Sequence, residues 1–228
     1  MPVHFPSFRL AATLLLFGLL IAGTITAAFA VRNHFRAASR EALEDTVEIA
    51  VDAVREGLRE TLAHLHGIQG LFNANDSVNR KEFDTFVSVF LARSEGTQAL
   101  EWIPRVTQDQ REDYEARIRA EGFEDFAIHP AGDRDEYFPV TYVSPMDPNT
   151  TAFGFDLGTE PNRLNALERA RDTGDLMATA PITLVQETAS QKGFLIYAPI
   201  YRGAEIPGNV QERRADLRGF GCMSESRT

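Results

Sequence analysis

The sequence predicts an α+β fold with a mostly antiparallel sheet, preceded by a transmembrane helix and a long stalk helix. An uncharged apolar run covers residues 10–31, a helical apolar stripe covers residues 32–72, and short helices and strands alternate beyond it. Short elements joined by tight turns favour antiparallel pairing. We therefore divide the chain into a leader (1–9), a transmembrane helix (10–31), a stalk helix (32–72), a main domain (73–220) and a tail (221–228).

The apolar run is the predicted membrane anchor. Residues 10–31 carry no charge, and at helical rise they span the ~30 Å of a bilayer core. A cleaved secretory signal is the alternative, because Ala28-Phe29-Ala30 fits the small-x-small cleavage pattern. The run exceeds the ~7 to 15 apolar residues of a signal, which favours an uncleaved anchor. Residues 1–9 are then a short cytoplasmic leader, and the main domain is expected on the periplasmic side of the inner membrane.

The basic residues around the anchor favour the opposite orientation. Arg9 precedes the run, whereas Arg32, Arg36 and Arg40 follow it. By the positive-inside rule this distribution would leave the main domain in the cytoplasm. The charge count and the predicted periplasmic placement therefore disagree.

The overall composition limits partners and chemistry. The chain has 33 acidic and 23 basic residues and a net charge of -10, which argues against a nucleic-acid partner. Cys222 is the single cysteine, so it can form neither an intrachain disulfide nor a multi-thiolate metal site. His64 and His66 point to different sides of a helix, and we expect them at the surface or an interface. The sequence predicts no catalytic residue, no metal site and no cofactor.

Residues 32–72 are predicted to form one long stalk helix. Apolar residues recur three or four positions apart, at Leu43, Val47, Val51, Val54, Leu58, Leu62, Leu65, Ile68 and Phe72. A helix of this length that continues a membrane span predicts a homodimer through the stalk. The alternative is a helix that covers the core of its own domain.

Capping and turn signals define the elements after the stalk. Asn79 and Glu82 form a capping box for a helix that stops by Gly96, and Pro161 begins a helix that Gly174 closes. A polar helix is predicted from Thr107 to about residue 120. Strands are predicted at residues 99–103, 123–128, 137–143, 177–185 and 194–201.

Six ordered blocks resemble the CHASE domain. They are Trp102-Ile-Pro-Arg-Val106, Glu136-Tyr-Phe-Pro-Val140, Gly154-Phe-Asp-Leu157, Ala166 to Gly174, Ala178-Thr-Ala-Pro181 and Phe194 to Tyr201. That family is the extracytoplasmic sensory domain of receptor-like histidine kinases and nucleotide or diguanylate cyclases, and this chain looks like a bacterial member. Over about residues 70–220, the resemblance implies a signal-transduction sensor in which a stalk helix leads into two PAS-like units. A small-molecule ligand is expected in the membrane-distal unit.

The resemblance also implies two ligand-facing residues. In the plant cytokinin-sensing members, a threonine of the Thr-x-Pro block and an acidic residue after the Tyr-x-Pro-Val strand face the ligand. Thr179 matches the threonine, and Asp147 is the nearest candidate for the acidic residue.

Further candidates for the ligand site come from the residues themselves. Asp156 follows Phe155 in an apolar segment, where a carboxylate is costly to bury without a partner. It could equally order a turn with Gly154 and Gly158. Because small-molecule sites are mostly apolar, aromatic side chains are predicted to wall the pocket: Trp102, Tyr142, Phe155 and Tyr197.

The end of the sequence departs from the family pattern. Family members continue after the Leu217-Arg-Gly-Phe220 block with a strand, a second membrane span and an output domain. Residues 221–228 are predicted to be an aberrant tail that forms neither strand nor span. Without a kinase or cyclase domain, the chain is predicted not to be an enzyme. Two alternatives remain: an anchored periplasmic enzyme with Asp156 and Glu187 as a carboxylate pair, and an ectodomain that signals by contact with a partner protein.

Overall fold

A computed structural model describes residues 6–94, 97–184, 192–203 and 205–226. The chain forms two compact units, Met1–Gly57 and Leu58–Thr228. Helix α1, Pro6–Ala74, contributes residues to both units. The helical conformation predicted for residues 10–31 and 32–72 is therefore confirmed.

The first unit consists of the N-terminal part of α1. Its apolar side chains include Leu14, Phe17 and Leu20, each about two-thirds exposed. Within the part of the chain that the structure describes, no helix is both long enough and apolar enough to cross a membrane. The predicted anchor and stalk stripe fall partly outside that part, because the side chains of residues 10–13, 28, 30, 31, 33–50, 53 and 54 are not described.

The second unit combines helices with two antiparallel sheets. Its further helices are α2 (Arg80–Leu91), α3 (Arg111–Ala120), α4 (Pro161–Thr173) and α5 (Val210–Asp216). Its strands are β1 (Thr97–Pro104), β2 (Val106–Thr107), β3 (Glu136–Tyr137), β4 (Tyr142–Ser144), β5 (Met177–Ala178), β6 (Ile182–Thr183), β7 (Lys192–Tyr201) and β8 (Leu217–Ser226). The predicted α+β class is confirmed.

Six strands form the larger sheet in the order β4-β1-β8-β7-β5, and β6 also pairs with β7. All of these pairings are antiparallel. Strands β2 and β3 form a separate two-stranded sheet. The long strands β1, β8 and β7 form the centre of the larger sheet, and every other strand of that sheet pairs with one of them.

Local signals fix two of the helices as predicted. The Asn79 side chain accepts from the Glu82 backbone N–H at 2.9 Å, and the Glu82 carboxylate accepts from the Asn79 N–H at 2.9 Å. Pro161 is the first residue of α4, and Gly174 ends the helix at φ 83°. Each signal satisfies or removes a backbone donor or acceptor that the helix end would leave unpaired.

Two predicted strands differ from the structure. Residues 123–128 form turns, and their buried side chains Phe126 and Ile128 pack in a small core beneath α3. The predicted strand at 137–143 is divided between β3 and β4, which belong to different sheets. In both places the backbone is irregular but the apolar side chains are buried. An apolar pattern in the sequence does not distinguish such a segment from a strand.

The prediction that residues 221–228 form no strand was wrong as far as Ser226. These residues belong to β8, which lies between β1 and β7 in the sheet. Gly221 faces α1, and a Cβ atom at this position would lie 2.8 Å from Ile68 Cγ2. Gly221, one of the residues that suggested an irregular tail, therefore lets α1 approach the central strand.

The larger sheet has two different faces. The α1 face packs against α1 and α2 and is aromatic and aliphatic, with Leu65, Ile68, Phe72, Phe83, Leu100, Trp102, Ile196 and Met223 in its core. The α4 face is covered by α4 and by the segment that precedes it, with Ala99, Ile103, Leu157, Leu167, Leu195, Tyr197, Phe220 and Cys222 in its core. Alternate residues of each long strand therefore enter different cores.

The part of α1 in the second unit covers the domain's own core. Leu65, Ile68 and Phe72 are at most 2% exposed, whereas Leu58 is 54% exposed. From Leu65 onward, α1 therefore covers the core of its own domain, as the alternative interpretation of the stalk helix stated. His64 was expected at a surface or interface but is buried against Phe90, with ring centroids 4.9 Å apart.

Candidate ligand site

The α4 face carries a group of buried polar side chains around a small cavity. Glu101 projects from β1, Tyr197 from β7, and Cys222 and Ser224 from β8, and all four are buried. Arg163 of α4 lies on the same side and is 4% exposed. Most of this face is apolar, so these groups are unusual in the core and need partners.

Glu101 is the central acid of this group and is 2% exposed. Burial raises the pKa of its carboxyl to about 7, although hydrogen bonds from Cys222 and Ser224 and the charge of Arg163 act in the opposite direction. Its Oε2 atom has no hydrogen-bond partner among the described residues. A carboxyl with this pKa changes its charge near neutral pH, and one of its oxygens is free to bind another group.

Arg163 supplies the positive charge of this group. Its Nη2 donates to the Thr183 carbonyl at 3.0 Å, and its guanidinium carbon lies 5.2 Å from the centroid of the Phe155 ring. Its Nε is buried without a hydrogen-bond partner in the described structure. Arg163 and Glu101 influence each other electrostatically. Among the described residues, however, they do not form an ion pair with a nitrogen–oxygen distance within 4.0 Å. The two opposite charges share one site without direct contact.

A small cavity of about 10 Å³ lies between these groups. Its lining consists of Glu101, Val140, Ala152, Phe155, Leu157, Arg163, Leu184 and Leu195. A cavity of this volume holds about one water molecule, whereas small-molecule sites usually measure ~300 to 1,000 Å³. A larger ligand requires the walls of the cavity to move apart.

Tyr197 lies beside this cavity, at the centre of β7. The side chain is fully buried, and burial raises the pKa of its phenol well above the usual value. Its hydroxyl has no hydrogen-bond partner within the described ranges. Tyr197 is thus a neutral, unsatisfied group close to the Glu101 and Arg163 side chains.

Asp156 positions the segment that walls the cavity. Its Oδ1 accepts from the backbone N–H groups of Phe138 at 2.9 Å and Gly158 at 3.0 Å. Its Oδ2 lies 3.3 Å from Arg134 Nη1. The carboxylate is fully buried, and its Oδ1 contacts agree with the turn-ordering alternative, whereas Oδ2 has the ion pair with Arg134 but no hydrogen bond among the described residues. Its neighbours Phe155 and Leu157 are thereby fixed at the cavity wall.

Thr179 joins the edge of the sheet. Its backbone N–H donates to the Leu195 carbonyl at 2.9 Å, and its Oγ1 accepts from the Leu195 N–H at 3.1 Å. The hydroxyl therefore extends the ladder between this edge and β7, and Leu195 in turn lines the cavity. A ligand contact by Thr179 remains a prediction.

Three other predicted residues lie away from the cavity. Trp102 stacks on Phe72 at 3.9 Å on the α1 face, and the Tyr142 hydroxyl donates to the Val78 carbonyl at 3.1 Å beside the same core. Asp147 is exposed in the turn after β4. The structure thus brings Phe155, Asp156, Thr179 and Tyr197 to the α4 face but does not unite all seven candidates.

Sequence reasoning missed the two charged residues of the site. Glu101 occurs in the segment Ala99-Leu-Glu-Trp-Ile103, where a carboxylate is surrounded by apolar residues of a strand. That pattern is a signal of a buried acid, because strand residues next to buried neighbours seldom reach water. Arg163 carries no such signal, since a basic residue near a helix start is ordinarily exposed.

The carboxylate pair of the enzyme alternative is not assembled in the described residues. Asp156 is engaged with backbone donors and Arg134, and Glu187 lies outside the described ranges. The cavity is lined by one carboxylate, that of Glu101.

The long helix α1 and the six-stranded antiparallel sheet agree with the architecture that the sequence resemblance implies. The model of the CHASE domain matches residues 76–224, more than half of the chain. The chain therefore belongs to the CHASE domain family, whose members are sensory and not catalytic domains of signal-transduction proteins. This match confirms the resemblance stated from the six sequence blocks.

A curated relative supports the same family. The chain is 23% identical over 165 residues to hybrid signal transduction histidine kinase A of Dictyostelium discoideum. The alignment covers 66% of this chain and 8% of that protein. The chain thus spans less than a tenth of the length of the curated relative it matches.

Proposed function

We propose that this chain is the extracytoplasmic ligand-sensing module of a membrane-anchored signal-transduction receptor, and that its ligand binds at the α4 face around Glu101 and Arg163. The observation that carries the proposal is that these two buried groups line one small cavity and each retain an unpartnered atom. Unsatisfied buried polar groups are costly to stability and are concentrated at functional sites.

The proposed anchor is the uncharged segment at residues 10–31. The large apolar side chains of this segment that are described as exposed, such as Leu15, Phe17 and Leu19, are 49–67% exposed. Contiguous exposure of this many apolar side chains in water is unfavourable, and a bilayer would remove it. The family's role as a sensory domain favours the periplasmic side for the second unit.

The topology of the larger sheet supports the proposed PAS-like unit. If the strands of the larger sheet are renumbered 1 to 5 along the chain, with β5 and β6 counted as one strand, their spatial order in the sheet is 2-1-5-4-3. The cavity lies on the face opposite α1. A ligand at that face contacts β1, β7 and α4, and β1 and β7 also contribute side chains to the α1-face core.

We further propose that the receptor is a homodimer through the stalk. Val51 and Leu58 of α1 are 41% and 54% exposed, and pairing with a second copy would bury them. The double substitution of Val51→Glu with Leu58→Glu should yield monomers in sedimentation experiments in detergent, with unchanged circular dichroism. Monomeric wild-type protein would contradict this part of the proposal.

Ligand binding can be tested with the full chain in detergent and a library of small metabolites. We expect at least one compound to raise the melting temperature of the wild type. Ala152→Leu should abolish the shift, because Ala152 lines the cavity and the larger side chain would fill it. Ala116→Leu, on the exposed surface of α3, is the matched control and should retain the shift. A shift that survives Ala152→Leu, or no shift with any compound, would contradict the proposal.

A further inference from the structure

Glu101 is a buried acid whose partners accept it with or without its proton. Its side chain is 2% exposed, and Oε2 has no hydrogen-bond partner among the described residues. The Cys222 thiol and the Ser224 hydroxyl form hydrogen bonds with the carboxyl. A hydroxyl rotates either to donate to a carboxylate or to accept from a protonated carboxyl, and a thiol does the same more weakly. Both protonation states of Glu101 therefore keep these partners.

Arg163 places a positive charge beside this acid. Its Nη2 donates to the Thr183 carbonyl at 3.0 Å, whereas its Nε is buried without a partner in the described structure. Arg163 and Glu101 line one cavity of about 10 Å³ but form no ion pair within 4.0 Å in the part of the chain that the structure describes. A buried carboxylate this close to a guanidinium would gain from pairing with it. The unpaired arrangement is therefore the one expected for a neutral, protonated Glu101.

We propose that Glu101 is a proton-binding site that switches the α4 face between two arrangements. With its proton, the carboxyl stays apart from Arg163. When the proton leaves to the solvent, the carboxylate pairs with the guanidinium through Oε2 and Nε, the two atoms without partners in the first arrangement. The cavity between the groups holds no more than about one water molecule, so a small movement of the first turn of α4 closes it.

The other ionisable groups around Glu101 keep their charge near neutral pH. Cys222 of β8 and Tyr197 of β7 stay neutral, because burial raises the pKa of the thiol and of the phenol well above their usual values. Arg163 stays charged, since a guanidinium does not lose its proton in proteins. Glu160 caps the same helix, where its Oε2 accepts from the Arg163 backbone N–H at 3.0 Å. The remaining cavity walls are apolar: Val140, Ala152, Phe155, Leu157, Leu184 and Leu195.

The switch regulates the site at which we place the ligand, and its role in sensing rests on the proposed function. Burial raises the pKa of Glu101 to about 7, so the two arrangements exchange near neutral pH. The protonated form leaves Glu101 Oε2 and Arg163 Nε open to a ligand, whereas pairing occupies both atoms. The response of the domain to its ligand should therefore weaken as pH rises above about 7.

The first test reads the proton on Glu101 through its thiol partner. Cys222 is the single cysteine of the chain, so the S–H stretching band in the infrared spectrum of the full chain in detergent has one source. A thiol donates a stronger hydrogen bond to a carboxylate than to a neutral carboxyl. We expect the band to move to lower frequency with a midpoint near pH 7. Glu101→Gln should remove this movement, and Glu112→Gln, at an exposed position of α3, should retain it.

Two results of the infrared measurement would overturn the proposal. One is a band that does not move between pH 5 and pH 9. The other is a band that moves equally in the wild type and in Glu101→Gln, because the histidines that titrate in this range are common to both proteins.

The second test is a double-mutant cycle on the unfolding equilibrium constant. Glu101→Gln and Arg163→Met, alone and together, should show a coupling below about threefold at pH 5 and above about tenfold at pH 9. The same cycle with Glu112→Gln and Arg169→Met, both at exposed positions, should stay below about twofold at either pH. Equal coupling of Glu101 and Arg163 at the two pH values would contradict the switch.

A crystallographic comparison decides alone if Arg163→Met does not fold. In wild-type crystals we expect Glu101 Oε2 and Arg163 Nε to lie about 2.7–3.2 Å apart at pH 9 and more than 4 Å apart at pH 5. The same distance at both pH values would rule out the switch.

These measurements need no ligand, so they fail independently of the proposed function. If the S–H band and the coupling do not respond to pH but a metabolite gives a shift that Ala152→Leu abolishes, the sensing function stands and the switch is wrong. If both respond to pH as expected and no compound of the metabolite library binds, the switch stands and the proposed function fails.

Discussion

The two faces of the six-stranded sheet are built from the same strands but satisfy their side chains differently. On the α1 face, Trp102 stacks on Phe72 at 3.9 Å in a core of aliphatic and aromatic groups. On the α4 face, the neighbouring residue Glu101 is buried with an unpartnered oxygen. Residues adjacent in β1 therefore enter a mainly apolar core and a core that contains a buried acid with an unsatisfied oxygen.

This difference indicates a division of roles between the faces. The α1 face stabilises the domain through apolar burial, which is non-directional and roughly proportional to buried area. The α4 face gives up part of that stability, because unsatisfied polar groups oppose folding. Substitutions on the first face should change stability, and substitutions on the second should change pH dependence and ligand response.

The largest expected effect is on the α1 face. Trp102→Ala should lower the free energy of unfolding by about 3–5 kcal/mol, because it removes a large buried ring and leaves a cavity beside Phe72. Val89→Ala on α2 is the control, since Val89 is 53% exposed and should cost less than about 1 kcal/mol. Chemical denaturation measures both. A cost below about 1 kcal/mol for Trp102→Ala would refute the stabilising role of this face.

The second prediction tests the unsatisfied acid of the α4 face. The pKa of Glu101 is raised from 4.5 to about 7 by burial, so the folded protein holds a proton that the unfolded chain releases between these pH values. Stability from this group is full below pH 4.5 and is lost as pH rises to about 7. The loss amounts to about 3 kcal/mol, at about 1.4 kcal/mol for each pH unit.

Glu101→Gln isolates this contribution, because glutamine does not titrate. We expect the unfolding free energy of the wild type to fall more steeply between pH 5 and pH 8 than that of Glu101→Gln, measured by denaturation without added ligand. All other titrating groups are common to the two proteins and cancel in the comparison. Parallel pH profiles would show that Glu101 is not held in the buried, unsatisfied state.

The third prediction concerns the close contact between α1 and β8. Gly221→Val should destabilise the domain by about 2 kcal/mol, because the added side chain would overlap Ile68. Gly70→Val is the control, since Gly70 is exposed and a Cβ there meets no atom within 4 Å, so it should cost less than Gly221→Val. An unchanged unfolding midpoint for Gly221→Val would mean that β8 is not packed beneath α1.

The smallest expected effect is at the edge of the α4 face. Thr179→Val removes the acceptor of the Leu195 N–H while nearly keeping the side-chain shape, and should cost about 1–2 kcal/mol. Thr179→Ser keeps the hydroxyl and should cost less. Equal costs for both substitutions, measured by denaturation, would show that the hydroxyl contributes nothing to this edge.

Much of the fold was predictable because local signals determine it. The capping box of Asn79 and the Pro161 and Gly174 boundaries of α4 act through neighbouring backbone groups, so the sequence alone contains their cause. The C-terminal part of β8 was missed because Gly221 packs against Ile68, which is far away in the sequence. Long-range packing of this kind leaves no local pattern.

The site was predictable only in part for the same reason. Strand alternation alone shows that Trp102 and Glu101 face opposite sides of β1, but which of them shares a face with Tyr197 depends on the register of β1 and β7 with β8, which the sequence does not show. Arg163 could not be found from the sequence, because its burial results from the packing of α4 on the sheet. Asp156 was correctly identified as a carboxylate that needs partners, and Phe138, Gly158 and Arg134 supply them.

The most direct test of the difference between the two faces is a crystal structure of the full chain with the compound that stabilises it most. We predict that the compound lies in the α4-face cavity, with polar atoms about 2.7–3.2 Å from Glu101 Oε2 and Arg163 Nε. A compound bound on the α1 face beside Trp102, or in the open groove beside Phe123, with Glu101 and Arg163 untouched, would contradict the account.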